Sequence, residues 1–284
     1  MEKRNYRKIE SMLRTQTMLL ATLVLLALGA PIAAAQDAPP EPTPPAPVAA
    51  GPTAAAPAAS TDTSALQPLE EPTYRPTKRF SYVARLMVRA SVYKSPSAKR
   101  PRLRMQPWIA DTGSGVELLI LNRIVTSKGV GWLQVLLPVR PNGTTGWIRE
   151  TGVSIVTNPM RITISLRKHS LLLYRNNRLV LRTGIVIGAP ETPTPLGLFS
   201  IYQEVREPSS SELGPWALHL TAHSNVLMEF EGGEGRVAIH GMRGSLAVPV
   251  GTDQSHGCIR VPPRNVLRIA QMVRAGTPVT ITRG

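Results

Sequence analysis

Between Gln36 and Thr77 lie eleven of the chain's 27 prolines, set among Ala and Thr with almost no large apolar side chain. Such a segment cannot bury enough apolar surface to offset the entropy of ordering it, so no core can form there. What folds must come chiefly from residues 78–284, which leave room for about two domains of ordinary size. The proline-rich stretch is expected to be a semi-extended linker, and at about 3.1 Å per residue of polyproline geometry it would reach on the order of 100 Å. A plain disordered spacer with no tuned length has the same composition.

Residues 1–35 point to export. Lys3, Arg4, Arg7, Lys8 and Arg14 stand against only Glu2 and Glu10, and an apolar run from Met18 to Ala35 ends in Ala33-Ala34-Ala35-Gln36. A basic start, an apolar middle and a small-residue end are the parts of a cleavable signal peptide. The rival is an uncleaved membrane anchor, which would want about twenty apolar residues, and Gly29 and Pro31 interrupt this run. Either way the remainder is expected outside the cytoplasm, in a periplasmic, cell-wall or extracellular space. Contact with a membrane is expected only through this segment.

Residues 78–157 read as short strands split by turns. Apolar or alternating runs at 83–90, 116–121, 132–137 and 146–148 are separated by Thr112-Gly113-Ser114-Gly115 and Asn142-Gly143, a pattern that suggests a small β-barrel. Trp132 and Trp147 could line a ligand groove, but barrel tryptophans more commonly fill the interior. This part carries thirteen Lys/Arg against three Asp/Glu in a chain of net charge +15. Its field could hold anionic wall polymers or substrate carboxylates, or could simply solubilise the domain. Nucleic acid is the usual partner of such a charge, but the export segment argues against it and no recognition motif is present.

Residues 158–284 also read mainly as strands, at 161–166, 170–175, 179–181 and 184–188, with Asn176-Asn177 as a turn. One helix is predicted near the end. Pro262 and Pro263 open it, Val266, Leu267, Ala270 and Val273 form its apolar stripe, and Gly276 offers a C-terminal cap. Residues 277–282 close the chain as a strand.

The chain's single cysteine, Cys258, sits in Ser255-His256-Gly257-Cys258-Ile259-Arg260, and His240 ends the upstream run Val237-Ala238-Ile239-His240-Gly241. A lone buried cysteine is ordinarily a small hydrophobe. In an oxidising compartment, however, a thiol without a partner is a liability that catalysis would explain. Thiolate attack with a histidine taking the proton is the chemistry this pairing allows, and it should make thiolate accessible below its usual pKa. Gly257 leaves one flank of the sulfur open, and consecutive N–H groups at His256, Gly257 and Cys258 could converge on an oxyanion.

His-Gly followed after a spacer by Ser-His-Gly-Cys-Ile-Arg-Val resembles the L,D-transpeptidase catalytic domain, also called the YkuD domain. Thr192-Pro193-Thr194-Pro195-Leu196-Gly197-Leu198-Phe199 resembles another segment of that family, with an extra residue or two in its turn, and the likeness runs from about Asn158 to Gly284. It implies a mainly β protein with a β-sandwich-like catalytic fold and one C-terminal helix. The implied activity is a cysteine-dependent acyl transfer from a peptidoglycan stem tetrapeptide, releasing the terminal D-alanine and forming a 3→3 cross-link. Cys258 would be the nucleophile and His240 its base, with Gly241 orienting His240 through its carbonyl. Ser255 and Arg260 would contact substrate, although Arg260, a position that is Asn in part of the family, could equally brace the motif loop. Residues 78–157 resemble a bacterial SH3-like domain through Trp132-x-x-Val135, Gly146-Trp147-Ile148, residues 87–90 and residues 94–97.

No cofactor or metal is expected. His219 and His223 stand four apart as in a helical zinc motif, but Leu220 takes the place of its glutamate, and a strand would separate the two by about 13 Å. His169 reads as a surface residue. Two rival functions share the same residues: a hydrolase, if water resolves the thioester, and a wall-binding protein without activity, against which intact His240, Gly257 and Cys258 argue.

Overall fold

Residues 160–165 bury Met160, Ile162 and Ile164 and leave Arg161, Thr163 and Ser165 partly exposed, the period-two pattern of a strand with one face on a core. Strands of this kind dominate the computed structural model, which describes residues 74–284. The export segment 1–35 and nearly all of the linker 36–77 lie outside the described residues.

The strands before residue 159 are β1 (Ser81–Leu86), β2 (Ala90–Val92), β3 (Leu103–Met105), β4 (Glu117–Val125), β5 (Gly131–Leu136), β6 (Thr145–Arg149) and β7 (Val153–Asn158). Five of them form one sheet in the order β6-β5-β4-β1-β7, and β2 pairs with β3. Val83, Leu118, Ile120, Leu133, Val135 and Ile148 are buried. Trp132 is buried too, edge-on to Tyr93 with ring centroids 5.3 Å apart and with the Arg149 guanidinium over its face. Trp147 remains partly exposed.

The rest comprises β8 (Met160–Ser165), β9 (Ser170–Arg175), β10 (Arg178–Gly184), β11 (Ile187–Gly188), β12 (Gly197–Arg206), β13 (Trp216–His223), β14 (Arg236–His240), β15 (Asp253–Ser255), β16 (Ile259–Arg260), helix α1 (Pro263–Ala270) and β17 (Pro278–Thr282). Eight strands run in the order β10-β9-β8-β17-β12-β13-β14-β16, while β11 pairs with β15. Asn176 and Asn177, both at positive φ, make the two-residue turn between β9 and β10. The last strand, β17, lies parallel to β8 and antiparallel to β12, so the chain's end locks the middle of this sheet. A second core collects under it, including Ile162, Leu173, Phe199, Ile239, Ile259 and Val279.

Helix α1 begins at Pro263 as predicted, where the missing N–H costs nothing. Its apolar stripe is shifted from the predicted one: Val266, Ile269 and Ala270 are buried while Leu267 is exposed. Gly276 is not its cap. Gln271 closes the helix in right-handed geometry, and Gly276 lies beyond it, packed against Val83 of β1. The two sheets also meet through a buried hydrogen bond from Asn158 Nδ2 to Thr277 Oγ1 at 2.9 Å and through Gln203 Nε2 to Thr112 Oγ1 at 2.8 Å.

Candidate active site

The end of the eight-stranded sheet brings the motif residues together. β14 and β16 pair in parallel with Ile239 opposite Ile259 and His240 opposite Arg260. Side chains two apart on a strand share a face, so Ala238 and His240 project to one side, with Arg260 opposite His240 and Cys258 just before β16. Their closeness is direct at the sulfur, because the Ala238 N–H donates to Cys258 Sγ at 3.4 Å. β13 adds His219, which lies opposite Ala238.

His240 is almost wholly buried, and its Nδ1 lies 2.6 Å from the Gly241 carbonyl oxygen. A carbonyl only accepts, so this contact fixes the proton on Nδ1 and leaves Nε2 as the free base. Burial, helped by the Arg260 and His219 charges, lowers the imidazole pKa to about 4 against the pull of the Gly241 bond. The ring is therefore neutral throughout the physiological range. Asp253 does not reach it, since its carboxylate pairs with His169.

Burial likewise pushes the Cys258 thiol above its usual value, outweighing the opposing effects of the Ala238 N–H and the Arg260 charge. The expected easy access to thiolate is thus corrected for the resting protein. Burial therefore favours the neutral form of both groups.

The loop carrying Cys258 is held from within and from one side. Ser255 Oγ donates to the Cys258 carbonyl at 2.6 Å and accepts the Gly257 N–H at 3.1 Å. Thr194 Oγ1 donates to the Gly257 carbonyl and accepts the Gly188 N–H, both at 2.9 Å, and Thr192 Oγ1 donates to the Ser255 carbonyl at 3.2 Å. Gly257 itself has φ +110, a conformation that side chains other than glycine's rarely adopt. Thr194 is buried, so replacing it with the isosteric Val leaves a carbonyl and an N–H unpaired in the interior. Thr194→Val is expected to cost about 1–3 kcal/mol, read as a lower midpoint of thermal unfolding. An unchanged midpoint would show that this clamp holds nothing.

The family description of the L,D-transpeptidase catalytic domain, YkuD, matches residues 159–281. A Bacillus licheniformis protein named as a YkuD L,D-transpeptidase is 34% identical over 157 residues, covering 52% of this chain and 86% of that protein. The chain belongs to the L,D-transpeptidase family. A Bacillus subtilis YkuD relative is 32% identical over 127 residues, covering 45% of this chain and 68% of its own length. The crystal structure of a mutant L,D-transpeptidase from Enterococcus faecium is 24% identical and matches 43% of this chain and 49% of that one, with a TM-score of 0.34, a superposition too loose to add to the assignment.

Within this L,D-transpeptidase, several roles expected from the motif change hands. Ser255 is buried, and both of its hydroxyl's bonds stay inside the motif loop, so it braces the loop from within. Arg260 gives no such brace. It is 6% exposed, and its Nε is buried with no hydrogen-bond partner among the described residues, while its charge acts on both Cys258 and His240. The Gly257 N–H is engaged by Ser255, which removes it from the three donors expected to converge on an oxyanion. His256 is exposed, its ring 4.9 Å from that of Phe230. His219 and His223 lie on a strand, not a helix. Nothing in the spacing marks His219 as a residue whose charge acts on His240, because only the β13–β14 register brings it opposite Ala238.

Proposed function

We propose that this enzyme is a peptidoglycan L,D-transpeptidase with Cys258 as nucleophile. The sulfur adds to the carbonyl carbon between the third residue of a donor stem and its terminal D-alanine as the thiol proton passes to His240 Nε2. Collapse of the tetrahedral adduct breaks the C–N bond, His240 returns the proton to the leaving amine, and a thioester remains. The side-chain amine of a second stem then adds to the thioester, its proton passes to His240 and on to the departing sulfur, and a 3→3 cross-link results. The N–H groups of His256 and Cys258 are assigned to the oxyanion, and the Arg260 guanidinium to a substrate carboxylate, a use that suits a planar donor whose buried Nε has no partner among the described residues.

The observation that carries this reading is the Nδ1 contact of His240 with the Gly241 carbonyl. It leaves Nε2 unprotonated, and a base of pKa about 4 stays unprotonated at neutral pH. We infer further that residues 1–35 direct export, that 36–77 is a spacer, and that 78–157 is an SH3-like module whose excess of Lys and Arg favours anionic wall polymers. Incubation of the full chain with a disaccharide tetrapeptide, read by mass spectrometry, tests the activity. Loss of D-alanine with a cross-linked dimer is the expected result. Loss with tripeptide alone would make the enzyme a hydrolase, and an unchanged substrate would leave only wall binding.

A further inference from the structure

β13 and β14 are joined by a twelve-residue excursion, 224–235, whose far end reaches the motif: Phe230 stacks on His256, and the charge of Glu231 is felt at Cys258. The excursion contributes no strand to either sheet. Val226 and Met228 are exposed on it, Met228 to 66%. A loop so poor in apolar burial should wander unless something ties its base.

That tie comes from the other sheet's side of the chain. The Arg140 guanidinium donates to three carbonyls spread over the loop: Ser224 through Nη1, and Leu227 at 3.0 Å and Glu234 at 2.8 Å through Nη2. Asn142 makes a reciprocal pair with the backbone of His223, Nδ2 donating to its carbonyl at 2.7 Å and Oδ1 accepting its N–H at 2.8 Å, and Nδ2 also reaches Asn225 Oδ1 at 3.0 Å. From the opposite direction Arg236 Nη2 donates to the Pro138 carbonyl at 3.2 Å. Gly235 has φ +67, and a Cβ there would lie 2.1 Å from the Leu227 carbonyl oxygen and 3.0 Å from Arg140 Nη2. The loop's base is therefore shaped to receive the guanidinium.

We propose that the 138–142 segment holds the 224–235 loop over the thiol, making Arg140 and Asn142 positioning residues for acyl transfer and tying catalysis to the N-terminal sheet. The fork of five N–H donors suits a set of convergent carbonyls that a lysine ammonium could satisfy only in part. The proposal rests on the transpeptidase reading for its kinetic consequence alone, since the loop's order can be read without substrate.

The test compares the full chain with its Arg140→Ala variant by backbone hydrogen exchange. Exchange across 224–235 is expected to quicken about ten-fold or more as the carbonyl ties are lost, with the amides of β4, β5, β8 and β9 unchanged. Alkylation of Cys258 by iodoacetamide should quicken several-fold. With the tetrapeptide donor, KM should rise more than kcat falls, because a loop resting on bound substrate contributes to ground and transition states alike, and Arg140→Lys should recover part of the loss. If Arg140→Ala loosens β4 and β5 as well, Arg140→Lys decides by the same exchange measurement. Loop exchange and alkylation equal to the parent's in a folded variant would overturn the proposal. Failure of the transpeptidase reading shows separately, as absence of donor turnover in the parent chain, and leaves the exchange result standing.

Discussion

Cys258→Ala is expected to abolish release of D-alanine from a stem tetrapeptide while the protein stays folded. The sulfur accepts one hydrogen bond, from the Ala238 N–H, and the residue as a whole is only partly buried, so its removal takes away little packing. The motif loop does not depend on it: Ser255, Thr192 and Thr194 hold the backbone of residues 255–258 through their hydroxyls. Thermal unfolding should therefore move by no more than about 1 kcal/mol equivalent, well short of a buried large-to-small change. Cys258→Ser is the sharper comparison. It keeps the volume but offers an alcohol far less acidic than a thiol to a base of pKa about 4, and it should be nearly as inactive as the alanine variant. Substantial turnover by either folded variant would remove Cys258 from the mechanism.

The family was legible in the sequence because His240-Gly241 and the run 255–261 carry the residue types of its motif. The strands were legible because their faces alternate, and the helix start because proline tolerates so few positions. What the sequence hid depends on register. Ser255 and Arg260 look equally able to meet a substrate when read along the chain, yet one hydroxyl turns inward to its own loop while the Nε of Arg260, opposite His240 on β16, has no hydrogen-bond partner among the described residues. Thr194 lies 63 residues from Gly257 in sequence and touches it in the fold; the resemblance marked its segment but gave it no task. The acidity of the thiol is hidden for a similar reason. Motif chemistry suggested a histidine that stabilises thiolate, whereas burial, a property of the whole sheet edge, lowers the histidine and raises the thiol.

Those opposed shifts set the pH behaviour of a carbapenem, a strained acyl donor that the proposed nucleophile should open to a slowly hydrolysed thioester detectable as added mass. In the proposed mechanism His240 accepts the thiol proton during attack. Because its pKa is about 4, acylation should fall only as the solution approaches that value and should hold nearly level through neutrality, rising further only when thiolate forms in the alkaline range. His240→Ala removes the base, so attack must await spontaneous ionisation of a thiol that burial has made less acidic. At pH 7 the variant should acylate about 10²–10⁴-fold more slowly, and its rate should climb by about ten-fold per pH unit until the thiol is ionised. The two profiles should accordingly converge at high pH. Intact-protein mass spectrometry over a time course at each pH measures both rates. Parallel profiles would show that His240 is not the base, and an adduct that persists in Cys258→Ala would place the acyl group on another residue.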